Sequence, residues 1–210
     1  MNASDVRFPK LKKLINDGLQ SRAIPILYFD TNIMIDVIDH RSQSSIELFN
    51  FLIKRKWALV TSVFAKVEFC ETKQKDEFRR QKEKSDWTDE KIKKNIEKRD
   101  LTEEILKQLS DQIDVNIKKI SSNFEPFTYL IDEGWSLAEK VKLSTNLTDK
   151  DSIHVAEAIA IGCDVFLTRD DFLIKSSRRY ILALTPEELI SVLNTELISK
   201  KQITYTKSRE

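Results

Sequence analysis

Four acids stand where a chain of this pattern can gather negative charge. Asp30 ends the apolar run Ile26-Leu27-Tyr28-Phe29, and Asp170 follows the run Val165-Phe166-Leu167. Asp151 falls in the first turn of the helix that leads into that second run, and Glu68 lies just beyond a third run, Ala58-Leu59-Val60. Short unbroken apolar runs read as strands of a parallel sheet covered on both faces. In open sheets of that kind ligands bind beyond the carboxyl ends of the strands. Carboxylates brought together there repel one another unless protons or cations compensate. Mg2+ or Mn2+ is the natural compensation, held by a few carboxylates and several waters. Such a cluster suits phosphodiester hydrolysis: one ion activates the attacking water, and a second about 4 Å away steadies the leaving oxygen. Each acid also has a simpler role open to it. Asp30 can cap the helix that begins near Asn32, Asp151 can favour a helix N-terminus through the macrodipole, and Glu68 can be an ordinary exposed helix acid. Asp170 can be a turn acid, with Asp171 beside it as the alternative ligand. His154 is expected to pack against a neighbour or bond locally, and Cys70 and Cys163 to be buried small apolar residues.

The elements that must position these acids can be read in order. A helix is expected at Phe8 to Leu19, then a strand at Ile26–Phe29, a helix from Asn32, a second helix carrying Ile46, Leu48, Phe49 and Leu52, and a strand at Ala58–Ser62. From about Ala65 to Ile120 the chain reads as helical and heavily charged. Lys73 to Arg99 holds 11 basic and 7 acidic residues. This is the expected insertion, at about 72–121, with a turn near Ser85 to Asp89 and Thr88 placed to cap a helix from Asp89. A third strand is expected at Phe127–Ile131, followed by a helical face of Trp135, Leu137, Ala138 and Val141. Thr148-x-x-Asp151 reads as a capping box with Asp in place of Glu, and Gly162 sits where that helix needs its C-terminal cap. A fourth strand at Val165–Leu167 and a fifth at Ile181–Leu184 precede a last helix signalled by Thr185, Pro186 and Glu188. Alternating strands and helices mean an α/β fold with a mostly parallel sheet. The expected divisions are an N-terminal helical extension over 1–24, one domain over 25–197 that contains the insertion, and a tail over 198–210.

Composition narrows the chemistry further. The 210 residues carry 35 Lys plus Arg against 34 Asp plus Glu, so bulk charge neither announces nor excludes a nucleic-acid partner. Gly18, Gly134 and Gly162 are the three glycines and lie far apart, which excludes a phosphate-cradling glycine loop. Two cysteines and two histidines exclude a disulfide scaffold, a cysteine-based zinc site and a histidine-rich metal centre. No apolar run approaches the roughly 18 residues a membrane span requires, and the N-terminus carries no signal-peptide stretch, so a cytoplasmic protein without a membrane partner is expected.

The acids sit in familiar strings. Tyr28-Phe29-Asp30-Thr31-Asn32-Ile33 resembles the opening of PIN domains, a family of acid-dependent nucleases related to the VapC-type toxins. Thr61-Ser62 followed by Glu68 is similar to that family's second motif, Lys150-Asp151-Ser152-Ile153-His154-Val155-Ala156-Glu157-Ala158 closely resembles its third, and Leu167-Thr168-Arg169-Asp170 resembles its fourth. The resemblance covers about Ile26 to Leu193 apart from the insertion, with Glu68 and Asp151 separated by 83 positions. It implies a three-layer α/β/α sandwich on a mostly parallel five-stranded sheet and a Mg2+- or Mn2+-dependent endoribonuclease. Asp30, Glu68, Asp151 and Asp170 then take the metal-binding positions. Asn32 and Thr168 hold acids or waters in place, and Asp171 is peripheral. The toxin half of a toxin–antitoxin pair, with an antitoxin or other protein partner and a homodimeric state, is the setting it suggests. Arg79, Arg80, Lys82, Lys84, Lys91, Lys93, Lys94, Lys98 and Arg99 of the insertion are then candidates for RNA phosphates, against a plain solvated helical pair laced with ion pairs. Two rivals are a non-catalytic PIN-like RNA- or protein-binding module and a structure-specific DNA nuclease. A phosphatase of the haloacid dehalogenase type also begins with an Asp after a strand, but it needs a second Asp two residues on, where this chain has Asn32.

Overall fold

The computed structural model describes residue 13 and residues 24–121, 125–128 and 132–195. The helix expected at Phe8–Leu19 (residue 13 apart) and the tail over 198–210 lie outside the described residues. The strands are β1 Ile26–Phe29, β2 Ala58–Ser62, β3 Glu125–Thr128, β4 Val165–Leu167 and β5 Ala183–Leu184, and they lie side by side in the order β3-β2-β1-β4-β5. Every neighbouring pair is parallel. The fold is therefore α/β on a parallel sheet, as the alternation of elements implied.

The chain leaves β1 toward β2 and β3 on one side and later returns to build β4 and β5 on the other. The strand order reverses at β1, so the crevice beyond β1 and β4 is the switch point at which such sheets bind ligands. Register places Phe29 opposite Leu167, and the Asp30 amide donates to the Leu167 carbonyl at 3.0 Å. Asp30 and Thr168 thus leave the sheet side by side.

Alternation along the strands sorts the core into two faces. Leu27, Phe29, Leu59, Val165 and Leu167 turn one way. They meet helix α1, Thr31–Ile38, helix α2, Gln43–Lys54, and a last helix at 186–195, through Ile33, Met34, Leu48, Leu52, Leu189 and Leu193. Tyr28, Val60 and Phe166 turn the other way and meet Val141, Val155, Ala158 and Leu173. Between α2 and the last helix the chain forms α3, Val63–Glu83, α4, Asp89–Asn95, α5, Glu103–Ser121, α6, Asp132–Ser144, α7, Asp149–Ala160, and α8, Asp171–Ser177. The last helix is α9.

Capping chemistry fixes where several helices start. Thr88 accepts from the Lys91 amide at the head of α4. Thr185 and Glu188 bond reciprocally ahead of α9, through Thr185 N–H to Glu188 Oε2 at 2.8 Å and Glu188 N–H to Thr185 Oγ at 3.1 Å. Gly162 follows α7 at φ +78°, a left-handed position that L side chains adopt only under strain.

Two strands differ from expectation. β3 is Glu125–Thr128 rather than Phe127–Ile131, whose last residues, 129–131, lie outside the described residues. It pairs on one side only, with a register shift between Val60 and Ser62, so alternation of side chains had little hold on its position. β5 is shortened to Ala183–Leu184 because only these two residues pair with Phe166 and Leu167.

Helix α3 starts as a core helix and continues into an arm. Its Phe69 packs with Ile35 of α1 and with Ile113 and Ile117 of α5. Further on, Phe78 and Ile92 are each 1% exposed, and the Phe78 ring meets Trp87 edge-on at 6.4 Å between centroids.

Arg169, next to the end of β4, ties three elements together. Its Nε pairs with Asp36 of α1, and its Nη2 donates to Ser42 and to Ser44 Oγ (3.0 Å) ahead of and within α2 and to Glu187 Oε1 (3.0 Å) of α9. Replacing Arg169 with Ala removes the ionic partner of the buried Asp36 carboxylate and leaves it, among the described residues, the Ser45 hydroxyl alone, which donates at 2.9 Å. It should cost about 1–3 kcal/mol in urea unfolding, and a loss below about 0.5 kcal/mol would show that the arginine is ornamental.

Candidate active site

Asp30 is shaped by three neighbours in sequence and space. It is the N-cap of α1, so Oδ1 accepts from the Thr31 amide at 2.7 Å. Its Oδ2 accepts from Asn32 Nδ2 at 2.5 Å and from Thr168 Oγ1 at 2.6 Å. Asn32 in turn accepts from the Arg169 amide at 3.1 Å, which locks its amide group in one orientation. The carboxylate is 6% exposed. Burial pushes its pKa up, and His154 and the Thr168 and Thr31 donors offset this only in part.

Glu68 reaches the same place from the second turn of α3. It accepts from Thr31 Oγ1 at 2.7 Å and pairs with His154 Nε2 at 2.7 Å, with Lys150 Nζ 3.7 Å from its other oxygen. Burial works to raise its pKa, but the His154 bond, the Thr31 hydroxyl and Lys150 outweigh it and hold the carboxyl below its usual range. His154 lies on α7 with its Nε2 4.0 Å from Asp30 Oδ1. Its Nδ1 lies 2.8 Å from Tyr28 Oη, and that hydroxyl donates to Glu157 Oε2 at 3.0 Å. Burial alone would lower the imidazole pKa; the Glu68 bond and the Asp30, Glu68 and Glu157 carboxylates raise it.

The expected acids therefore divide. Asp30, Glu68, Asp151 and Asp170 all line one cleft of about 300 Å³ beyond the strand ends. Asp30 and Glu68 draw close, and with His154 they form a group whose ligand atoms all lie within 4.8 Å of one another. Asp151 and Asp170 stand outside that group. Asp151 closes the capping box of α7, accepting from Thr148 Oγ1 at 2.7 Å and Thr148 N–H at 3.3 Å. Asp170 caps α8 by accepting from the Phe172 and Leu173 amides at 2.8 and 2.9 Å. Asn32 and Thr168 both touch Asp30, while Asp171 is exposed in the first turn of α8.

His154, Tyr28 and Glu157 are residues whose part in the site does not follow from the sequence motifs alone. A signal for them exists. Helix α7 is buried on several sides (Val155, Ala156 and Ala158 are each 0% exposed), so His154 and Glu157 within it had to be buried and to find partners. Tyr28 is a hydroxyl inside a core strand, and it needs one too.

The donor set fits a divalent cation. Two carboxylates and an imidazole nitrogen are common ligands, and bonds of about 2.0–2.2 Å put donors of one ion roughly 3–4 Å apart; Nε2 of His154 lies 4.0 Å from Asp30 and, as a hydrogen-bond partner, 2.7 Å from Glu68. Positive charge also borders the cleft. Lys150 and Lys75 line it and are pinned by Glu71, at 2.8 and 2.9 Å.

No protein-family model matches the chain, and no curated protein matches it. Among solved structures it is similar to a chain of the crystal structure of VapBC2 from Rickettsia felis bound to a DNA fragment from their promoter. The two share 13% identity at a TM-score of 0.48, covering 76% of this chain and 98% of that one.

The lysine lock on Glu71 has a measurable signature. Hydrogen bonds from Lys150 and then Lys75 lower its pKa from 4.5 to about 2. Because the folded value is depressed, the lock is complete above about pH 4.5 and is lost as pH falls toward 2. Carboxyl NMR of the parent should place the Glu71 midpoint near 2, and Lys150→Met should move it up toward 4.5. A midpoint already near 4.5 in the parent would show that the lock does not form.

Proposed function

We propose that the protein is a metal-dependent endoribonuclease whose carboxylates, Asp30, Glu68, Asp151 and Asp170, hold Mg2+ or Mn2+ in the cleft. The observation that carries this reading is the meeting of Asp30 and Glu68, with His154, at the switch point of a parallel sheet, on a cleft that Asp151 and Asp170 also line. A divalent ion supplies a water acidic enough to attack phosphorus near neutral pH and charge to stabilise the leaving oxygen. The protein's part is orientation. Thr31, Asn32 and Thr168 fix the Asp30 carboxylate, and Thr31 fixes Glu68 as well. Lys75 and Lys150, on the cleft wall, are placed to meet non-bridging oxygens of a phosphodiester. The toxin role, with an antitoxin partner and a homodimer, rests on the resemblance of the four motif strings. Its direct check is growth arrest on expression that a co-expressed partner relieves.

A nucleic-acid substrate is proposed because the arm carries unneutralised cations, and RNA rather than DNA rests on the resemblance of the motif strings. Arg79, Lys93, Lys94 and Lys98 are exposed and have no acid within ion-pair distance among the described residues. Arg80 is committed to Glu77, Arg99 to Gln74, and Lys91 lies 4.0 Å over the Trp87 ring. Changing Lys93, Lys94 and Lys98 together to Gln should weaken RNA binding and flatten the log–log salt slope by about 2, at ~0.7 for each phosphate no longer neutralised. An unchanged slope would leave the arm as scaffold.

The decisive test is cleavage of a pool of structured RNAs and single-stranded DNA with Mg2+, with Mn2+ and with EDTA. The parent should cut RNA only when a divalent ion is present. Asp30→Asn, with thermal unfolding unimpaired, should lose roughly 100-fold or more, since even an outer partner of a metal ligand is worth about 10–100-fold. Parent-level cutting by Asp30→Asn would refute the site.

A further inference from the structure

We propose that His154 is itself a metal ligand, so that Asp30, Glu68 and His154 make a mixed oxygen–nitrogen site that takes a first-row transition ion in preference to Mg2+. The proposal rests on the metal-site reading above and adds the identity of the third donor and the class of ion.

Three observations carry it. The His154 ring is 2% exposed, and its Nε2 is turned toward both acids, 2.7 Å from Glu68 and 4.0 Å from Asp30. The 4.0 Å gap is that of donors sharing one ion, and the 2.7 Å hydrogen bond to Glu68 has only to open slightly to admit one. The other ring nitrogen is already engaged. Tyr28 Oη gives its single proton to Glu157, so it accepts from His154 Nδ1, and the Nε2 proton that bonds Glu68 is the one a bound ion replaces. A histidine whose outer nitrogen donates toward a carboxylate-backed partner is the arrangement that aims and strengthens a metal-binding imidazole. Finally, this machinery is buried well beyond what a helix needs for packing. Tyr28 is 0%, His154 1% and Glu157 4% exposed, and their mutual hydrogen bonds hold the ring so that Nε2 faces Asp30 and Glu68.

The donor set sets the ion. Mg2+ favours oxygen ligands and gives up water reluctantly, whereas imidazole nitrogen suits the first-row transition ions. An all-carboxylate site would discriminate less between Mg2+ and Mn2+.

Electron spin-echo modulation of the full chain loaded with Mn2+ tests this without relying on a variant. The expected result is nitrogen modulation from a directly bound imidazole, which switches from the 14N to the 15N pattern when histidine alone is 15N-labelled. It should persist in His40→Gln, because His40, the other histidine, is exposed past the C-terminal end of α1, away from Asp30. It should vanish in His154→Gln, and the preference for Mn2+ over Mg2+ in competition should fall on the order of tenfold. Mn2+ bound without nitrogen modulation would overturn His154 as a ligand and leave the carboxylate site standing. Modulation that survives in His154→Gln, or an unchanged ion preference, would overturn it as well. Failure of the parent to bind Mn2+ at all would overturn the metal-site reading together with this one.

Discussion

The buried carboxylate of Asp30 is the constraint to which the neighbouring elements answer. It leaves β1 at the point where the parallel sheet reverses direction, it is almost fully out of water, and Glu68 brings a second carboxylate against it. An uncompensated charge in that position would neutralise itself by taking a proton. The fold instead supplies donors from several elements: the first amide of α1, Asn32 in its first turn, Thr168 past β4, and His154 from α7 beside Glu68. The Thr31 amide and Asn32 reach it locally, whereas Thr168 does so because β1 and β4 lie side by side, and His154 comes near because α7 packs on the face of the sheet to which Tyr28 turns. The order of the sheet and the electrostatics of the site are thus one problem with one solution.

That solution has a surplus. Asp30 still sits above its ordinary pKa, while Glu68 is held below its own, chiefly by the histidine. The two acids are held by different donors, Asp30 by hydroxyl, amide and backbone groups and Glu68 by imidazole and the Thr31 hydroxyl.

Much of this was legible in the sequence, for reasons that can be named. Asp30, Asp151 and Asp170 stood out because each adjoins a short apolar run or a helix start, and both features have strong local signatures. Thr148, Gly162 and Thr185 marked helix ends because capping depends on residues a few positions apart. His154 escaped because a single polar residue in an apolar helix carries no local sign of what it faces. Its partners, Tyr28 and Glu68, are 126 and 86 positions away, and only the crossing of α7 over β1 and α3 brings them together. The start of β3, at Glu125 rather than Phe127, is hard to read for the opposite reason. An edge strand containing Pro126 is fixed by one neighbour, and its irregular pairing leaves no clean alternation to read.

Helix α3 joins the arm to the chemistry by geometry alone. Glu68, Glu71, Thr72 and Lys75 recur at the three- and four-residue steps of one helical face, and all line the cleft. Phe69 on an adjoining face sits in the core, and Phe78 further along the helix anchors Trp87 and Ile92 of the arm. A helix of 21 residues spans about 30 Å, and its body is gripped at Phe69 on one side and at Phe78 on the other. Any force on the arm, from a nucleic acid or a protein, is therefore transmitted to a rod that also carries Glu68. The charged insertion is then more than an appendage beside the site: it extends the same element that delivers one of the two closest acids, and Lys75 on that element pairs with both Glu97 of the arm and Glu71 on the cleft wall.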